Sequence, residues 1–110
     1  PHPRSYGTMA RLFQRYVREE GVLSLEDAVR KVTSQPATVV GLPNRGLVRE
    51  GFAADLVVFR PDSIYEESTF QTPNQYPRGI DHVIVNGRMT VAFGRHTGAL
   101  AGRILKKTVI

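Results

Sequence analysis

Apolar positions recur at helical spacing over the first third of the chain and switch to extended alternation beyond Pro43. Met9, Leu12, Phe13, Tyr16 and Val17 share one face of a predicted helix, with Arg11, Gln14, Arg15 and Arg18 on the other. Thr8 is placed to cap its start, and Gly21 ends it. Ser24 with Asp27 three residues on resembles a capping box, and Leu25, Ala28, Val29 and Val32 form the stripe of a second helix. Pro36 starts a short third helical turn that ends near Gly41.

The extended half begins with Leu47-Val48, read as a short strand, and with Ala54 to Phe59, a firmer one stopped by Pro61. Residues 61 to 79 hold three prolines and no regular period. They read as a long surface loop, which in a small domain wraps a neighbour or borders a site. His82 to Phe93 is the clearest local signal: two strands joined by Asn86-Gly87, whose residues tolerate the positive φ of a type I′ turn. That register sets Ile84 opposite Met89 and His82 opposite Val91, with Val83 and Val85 on the other face. Both faces of the hairpin then carry apolar residues, and two short helices are too little to cover them. A partner segment is expected.

Composition narrows the class. At 110 residues the chain fits one domain. The 15 basic and 10 acidic residues give a net charge of +5, but residues 1 to 50 hold 8 basic and 5 acidic side chains and the rest hold 7 and 5. No basic patch is concentrated enough to predict a nucleic-acid partner. The basic face of Arg11, Arg15 and Arg18 is followed at once by Glu19 and Glu20, so a solvated face is favoured over nucleic-acid binding. With no cysteine, disulfides and thiolate metal sites are ruled out. No apolar run is long enough to span a bilayer and no signal peptide is visible, so no membrane role is expected and the cytoplasm is the default location. The first residue is Pro rather than Met, which suggests a piece of something longer.

Candidate chemistry is sparse. His2, His82 and His96 form no H-x-H or H-E-x-x-H motif, and no carboxylates pair at helical spacing, so no self-contained metal site is expected. No serine lies in a G-x-S-x-G context and no glycine-rich phosphate loop occurs. Asp55, at the entry to an apolar strand, is expected to bond loop amides and fix the chain's approach. The opening Pro1 to Thr8, PHPRSYGT, is the best functional candidate. Arg4 is suited to hold a carboxylate in a bidentate fork, Tyr6 to donate a hydroxyl, and His2 stands beside them.

HPRSYGT, then R-x-x-x-x-Y-V-R-E-E-G-V-L-S-L-E-D-A-V-R-K-V-T-S-x-P-A, resembles the C-terminal part of N-acyl-D-amino-acid deacylases, the D-aminoacylases of the amidohydrolase superfamily. Arg45-Gly46-Leu47, Glu50 to Phe59, Gln75-Tyr76-Pro77, Gly79-Ile80, Val83 to Gly87 and the Gly94-x-His96-Thr97-Gly98 close agree with it. A-D-L-V-V-F and V-x-V-N-G mark only the superfamily, whereas HPRSYGT and Q-Y-P-x-G-I favour the D-aminoacylase branch.

The resemblance implies an α+β fragment: the last helices of a (β/α)8 barrel in residues 1–41, with a rim loop, then the C-terminal strands of a small composite β-sandwich in residues 42–110. It also implies hydrolysis of an N-acyl amide by a zinc-activated hydroxide, with an aspartate at the end of the last barrel strand shuttling the proton. The family's metal ligands and that aspartate map onto no residue here, so no catalytic or metal residue transfers, no zinc is expected on this chain, and the chain alone is expected to be inactive. His2, Arg4 and Tyr6 match the segment just after the aspartate and are the expected substrate-binding residues, Arg4 for the substrate carboxylate. The expected partners are the rest of the amidohydrolase chain, a small N-acyl amino acid, and a second copy where self-association covers the open face.

Two other readings stay open on the residues. One is a free-standing binding module with a small sheet and a basic helix face. The other is the same segment of a dihydroorotase-like or cytosine-deaminase-like amidohydrolase.

Overall fold

Glycines and prolines punctuate the chain into three helices, a π-helical segment and four short strands, and the computed structural model describes residues 2–107 of it. These gather into two compact units, residues 2–28 with 59–80, and residues 29–58 with 81–107.

In the first unit, helix α1 (Arg4–Arg11) runs on as a π-helical segment over Leu12–Glu19. The helix thus begins four residues before the predicted cap. Thr8 lies inside it, its hydroxyl donating back to the Arg4 carbonyl at 2.6 Å, the local bond that a mid-helix threonine makes. Spacing of i to i+5 marks the π segment: the Glu20 amide donates to the Arg15 carbonyl at 2.8 Å, Gln14 Nε2 to Glu19 at 3.2 Å, and Arg15 Nε to Glu20 at 2.7 Å. The last of these raises the Arg15 pKa above its ordinary value, first by the hydrogen bond and then by the charge of Glu20. A raised pKa stabilises below the unfolded value, and that window lies so far above neutrality that it adds no pH dependence in the working range.

The buried face of this helix matches the predicted one only at Phe13. Gly7, Ala10, Phe13 and Gln14 are buried, while Met9 is 60% and Tyr16 38% exposed. Steric fit decides this. A Cβ on Gly7 would stand 2.5 Å from Glu66 Cγ, so at that point the helix can lie against the 59–80 segment only through a residue without a side chain. Gln14, predicted on the polar face, tolerates burial because its Oε1 accepts the Glu66 amide at 2.9 Å while its Nε2 bonds Glu19. Phe13 packs on Phe59 with centroids 5.0 Å apart. Arg11 pairs with Glu66 at 3.3 Å and Arg18 donates to the Pro61 carbonyl at 3.0 Å, so the basic face is bonded within the chain.

The long 61–79 segment is irregular but not loose. Tyr65 and Arg78 form an isolated antiparallel bridge, with the Arg78 guanidinium 4.8 Å over the Tyr65 ring and ion-paired to Glu67. Ile64, 3% exposed, fills the space beneath. Gly79 is required there: its φ is +86° and a Cβ would meet Ile64 Cα at 2.6 Å.

Helix α2 (Leu25–Val32) starts as its capping residues predict, the Asp27 amide donating to Ser24 Oγ at 3.1 Å. Its Ala28 is fully buried. In the second unit, helix α3 (Ser34–Val40) stops at Gly41, whose φ of +88° lets its amide return to the Ala37 and Thr38 carbonyls. Leu47-Val48 is not a strand; Val48 is 90% exposed and the stretch forms no ladder.

The sheet runs in the order β1 (Leu56–Phe59), β2 (Ile80–Val85), β3 (Arg88–Ala92) and β4 (Arg95–His96). Asn86 and Gly87 take the predicted positive φ values of 48° and 78°, and Ile84 pairs with Met89. A bulge between Val83 and Ile84 then shifts the register, so Val83 rather than His82 lies opposite Val91. That leaves His82 free to accept the Phe93 amide at Nδ1, at 3.2 Å, with its ring edge-on to Phe93 at 4.9 Å. On the edge strand β1, the successive residues Val57 and Val58 are 55% and 47% exposed. Adjacent strand residues point to opposite faces, so each face of β1 keeps an exposed valine, although Phe59 packs on Phe13.

One polar joint ties the entry of β1 to the hairpin turn. Asp55 Oδ1 accepts the Asn86 amide at 2.8 Å and its other oxygen pairs with Arg45, which donates on to Asn86 Oδ1 at 3.0 Å. Asn86 Nδ2 reaches the Ala101 carbonyl at 2.7 Å, and the Gly87 amide donates to the Ala54 carbonyl at 2.9 Å. Asp55→Ala leaves an amide and a guanidinium short of an acceptor, a loss of about 1–3 kcal/mol in urea unfolding. Arg45→Ala in the Asp55→Ala background should add clearly less than it does alone, because the two act as one unit. Full additivity in that cycle would refute the joint.

Candidate functional site

The opening residues face a cavity of about 660 Å³ within the first unit. One wall is the start of the first helix, carrying His2, Arg4, Met9 and Leu12, and the other is the segment from Glu66 to Gln71. The helix supplies this wall because its small face is turned toward the chain, leaving the predicted apolar stripe of Met9, Leu12 and Tyr16 to line open space.

His2 is held on two sides. Its Nδ1 accepts the Arg4 amide at 3.0 Å, which places the proton of the neutral ring on Nε2. Its ring meets Phe70 edge-on, with centroids 5.3 Å apart and planes at 81°. The Arg4 side chain is exposed and has no ion-pair partner among the described residues, whereas Arg11 at the same cavity is neutralised by Glu66. Tyr6 does not line the cavity. Of the three residues singled out in the sequence, His2 and Arg4 therefore come together and Tyr6 does not join them.

The second wall was legible only as a loop that borders a site. It is fixed by Glu66, through Gln14 and Arg11, and by the nearly buried Ser68, whose hydroxyl donates to the Gln75 carbonyl at 3.2 Å. Thr69 Oγ1 accepts the Thr72 amide at 2.9 Å and the Thr69 amide donates to the Thr72 carbonyl at 3.2 Å. These bonds close a tight turn with Phe70 and Gln71 at its tip. Nothing in the spacing of residues 61 to 79 points to Phe70 or Glu66, because the partners of Glu66, Gln14 and Arg11, and that of Phe70, His2, lie more than fifty residues away in sequence.

His82 and His96 lie in the other unit and each accepts a backbone amide at Nδ1. Among the described residues no group of three His, Cys, Asp or Glu side chains could hold a metal ion. Among the same residues, no helix is long and apolar enough to cross a membrane.

The amidohydrolase family model Amidohydro_3 matches residues 1–91. The chain belongs to the amidohydrolase family. It is 46% identical over 99 residues to an N-acyl-D-aspartate deacylase of Alcaligenes xylosoxydans xylosoxydans, which covers 90% of this chain and 20% of the relative. A crystal structure of D-aminoacylase superposes on 97% of this chain with a TM-score of 0.94 at 42% identity, using 23% of its own length. An N-acyl-D-glutamate deacylase from Bordetella bronchiseptica, complexed with zinc and a phosphonate mimic of the tetrahedral intermediate, superposes on 93% with a TM-score of 0.81 at 40% identity, using 22% of its length. The chain thus spans about a fifth of the length of the relatives it matches.

Gln14→Leu tests the anchoring of the second wall. It removes the acceptor of the Glu66 amide, so hydrogen exchange at that amide should accelerate and stability should fall by about 1–3 kcal/mol. Unchanged protection of Glu66 would show that the wall is held by other contacts.

Proposed function

We propose that this chain is the C-terminal part of a zinc-dependent amidohydrolase that converts N-acyl-D-amino acids to the D-amino acid and a carboxylate. In this reading residues 1–41 close the barrel and residues 42–110 give strands to a small sandwich. The observation that carries it is the superposition on D-aminoacylase over almost the whole chain at 42% identity. The exposed Val57 and Val58 of β1 support it as well, since the remaining four-fifths of such an enzyme supplies surface to cover them.

The chain's own part is binding. Arg4 offers a guanidinium that has no ion-pair partner among the described residues and whose fork matches the substrate carboxylate, and His2 adds an Nε2–H donor fixed in orientation by Arg4 and Phe70. Metal ligands and the proton-shuttling carboxylate belong to the rest of the enzyme, and the isolated chain is inactive.

The test is hydrolysis of N-acyl-D-amino acids with saturating zinc, by this chain alone and by the full-length protein that contains it. Turnover is expected only from the latter, and a full-length protein that fails on every such substrate would remove the assignment. Arg4→Ala in the active protein should raise KM about 10- to 100-fold with little change in kcat, the loss of a charge-assisted pair made equally in ground and transition state. An unchanged kcat/KM would reject the role of Arg4.

A further inference from the structure

Glu66 lies beside two arginines of the first helix and pairs with one of them. Its stem rests on the bare backbone of Gly7, where an added Cβ would stand 2.5 Å from Cγ and 2.8 Å from Oε1. Arg4 comes three residues before Gly7 and Arg11 four residues after it, so all three share one face of α1 and the arginines flank the carboxylate one turn to either side. A turn rises about 5.4 Å, which an arginine side chain can span. Glu66 Oε2 nevertheless accepts from Arg11 Nη1 at 3.3 Å, while Arg4 has no ion-pair partner among the described residues. The helix sets that preference: its side chains lean toward the N-terminus, so Arg11 leans onto Gly7 and Arg4 leans away from it.

The cavity is lined by these two arginines and by one carboxylate, that of Glu66. The Glu66 side chain is only 11% exposed, so its carboxylate has lost most of its water and needs a cation beside it. Arg11 meets that need and leaves one positive charge over. Without Arg11, Arg4 is the remaining guanidinium of the cavity. It is exposed and bonded only through its backbone, so a change of rotamer costs it little, and Gly7 puts no side chain in its way. Captured by Glu66, its fork would be occupied within the chain. The Arg11 pair, with the arginine 46% exposed, adds little stability of its own, so its effect falls on binding.

We propose that Arg11 is a positioning residue for substrate binding: by holding Glu66 it keeps the Arg4 guanidinium free for the substrate carboxylate. The assignment rests on the deacylase reading, in which Arg4 binds that carboxylate, and adds to it a second arginine that acts through Glu66 without touching substrate.

The experiment uses the zinc-loaded full-length protein that contains this chain. A crystal structure of Arg11→Met without substrate should place the Arg4 guanidinium on the Glu66 carboxylate. For the N-acetyl-D-amino acid that the parent protein hydrolyses fastest, KM of this variant should rise about 10-fold with little change in kcat. Arg11→Lys keeps a cation on Glu66 and should leave KM near the parent value. Adding Glu66→Gln to Arg11→Met removes the capturing charge but keeps the shape of the side chain, and should bring KM back toward the parent value, which a loss of folding would not allow. An unchanged KM in Arg11→Met overturns the proposal, and so does a raised KM that the double variant fails to restore. An Arg4 that stays apart from Glu66 in the crystal overturns it with or without turnover. Capture of Arg4 in a protein that hydrolyses no N-acyl-D-amino acid upholds the exchange between the arginines and rejects the deacylase reading alone.

Discussion

The carboxylate of Asp55 joins two stretches of the second unit, and the Gly87 amide on the Ala54 carbonyl ties the same stretches beside it. That carboxylate sits where the chain enters β1, and it accepts the amide of Asn86 at the tip of the β2–β3 hairpin while Arg45 bridges both. A short sheet with exposed valines on its edge strand gains little from apolar burial, so its register depends on such directed bonds. The Asn86-Gly87 turn thus has two tasks. Its positive φ values reverse the chain, and the same geometry aims one backbone amide at Asp55 and the next at Ala54.

Glu66 plays the corresponding part in the first unit. Its amide, its carboxylate and its side-chain stem are each placed against the first helix, by Gln14, Arg11 and the bare backbone of Gly7 in turn. Seating that residue turns the helix so that Gly7, Ala10 and Phe13 face inward, and this orientation leaves Met9, Leu12 and Tyr16 on the cavity. Packing and candidate function are therefore one decision: the same rotation that fits Glu66 makes an apolar wall next to Arg4.

The thin core fits a chain that spans about a fifth of its relatives. Among the described residues the buried apolar side chains are mostly small, with Phe13 and Ile64 the large exceptions, and the large hydrophobics left in water lie on the first helix, on α3, on the sheet and in the loops. Many side chains were patterned for burial and remain uncovered within this segment. Under the proposed reading, other segments of the enzyme bury them, which accounts for an apolar pattern larger than what these residues bury among themselves.

Local chemistry was legible in the residues alone. The Ser24 cap of α2, the Gly41 stop, the Asn-Gly turn and the Asp55 anchor follow from hydrogen bonds and φ preferences set within a few residues, and the family followed from motifs such as HPRSYGT and A-D-L-V-V-F. Periodicity could not decide which side of the first helix is buried, because that depends on Glu66, some fifty residues away. Nor could it find the bulge that moves Val83 opposite Val91, or bring Phe70 to His2. The sequence determined the turns, caps and ancestry, since each is written in neighbouring side chains. Only the tertiary structure decided which apolar residues became core and which became the wall of a pocket, because steric fit between distant segments settles that choice.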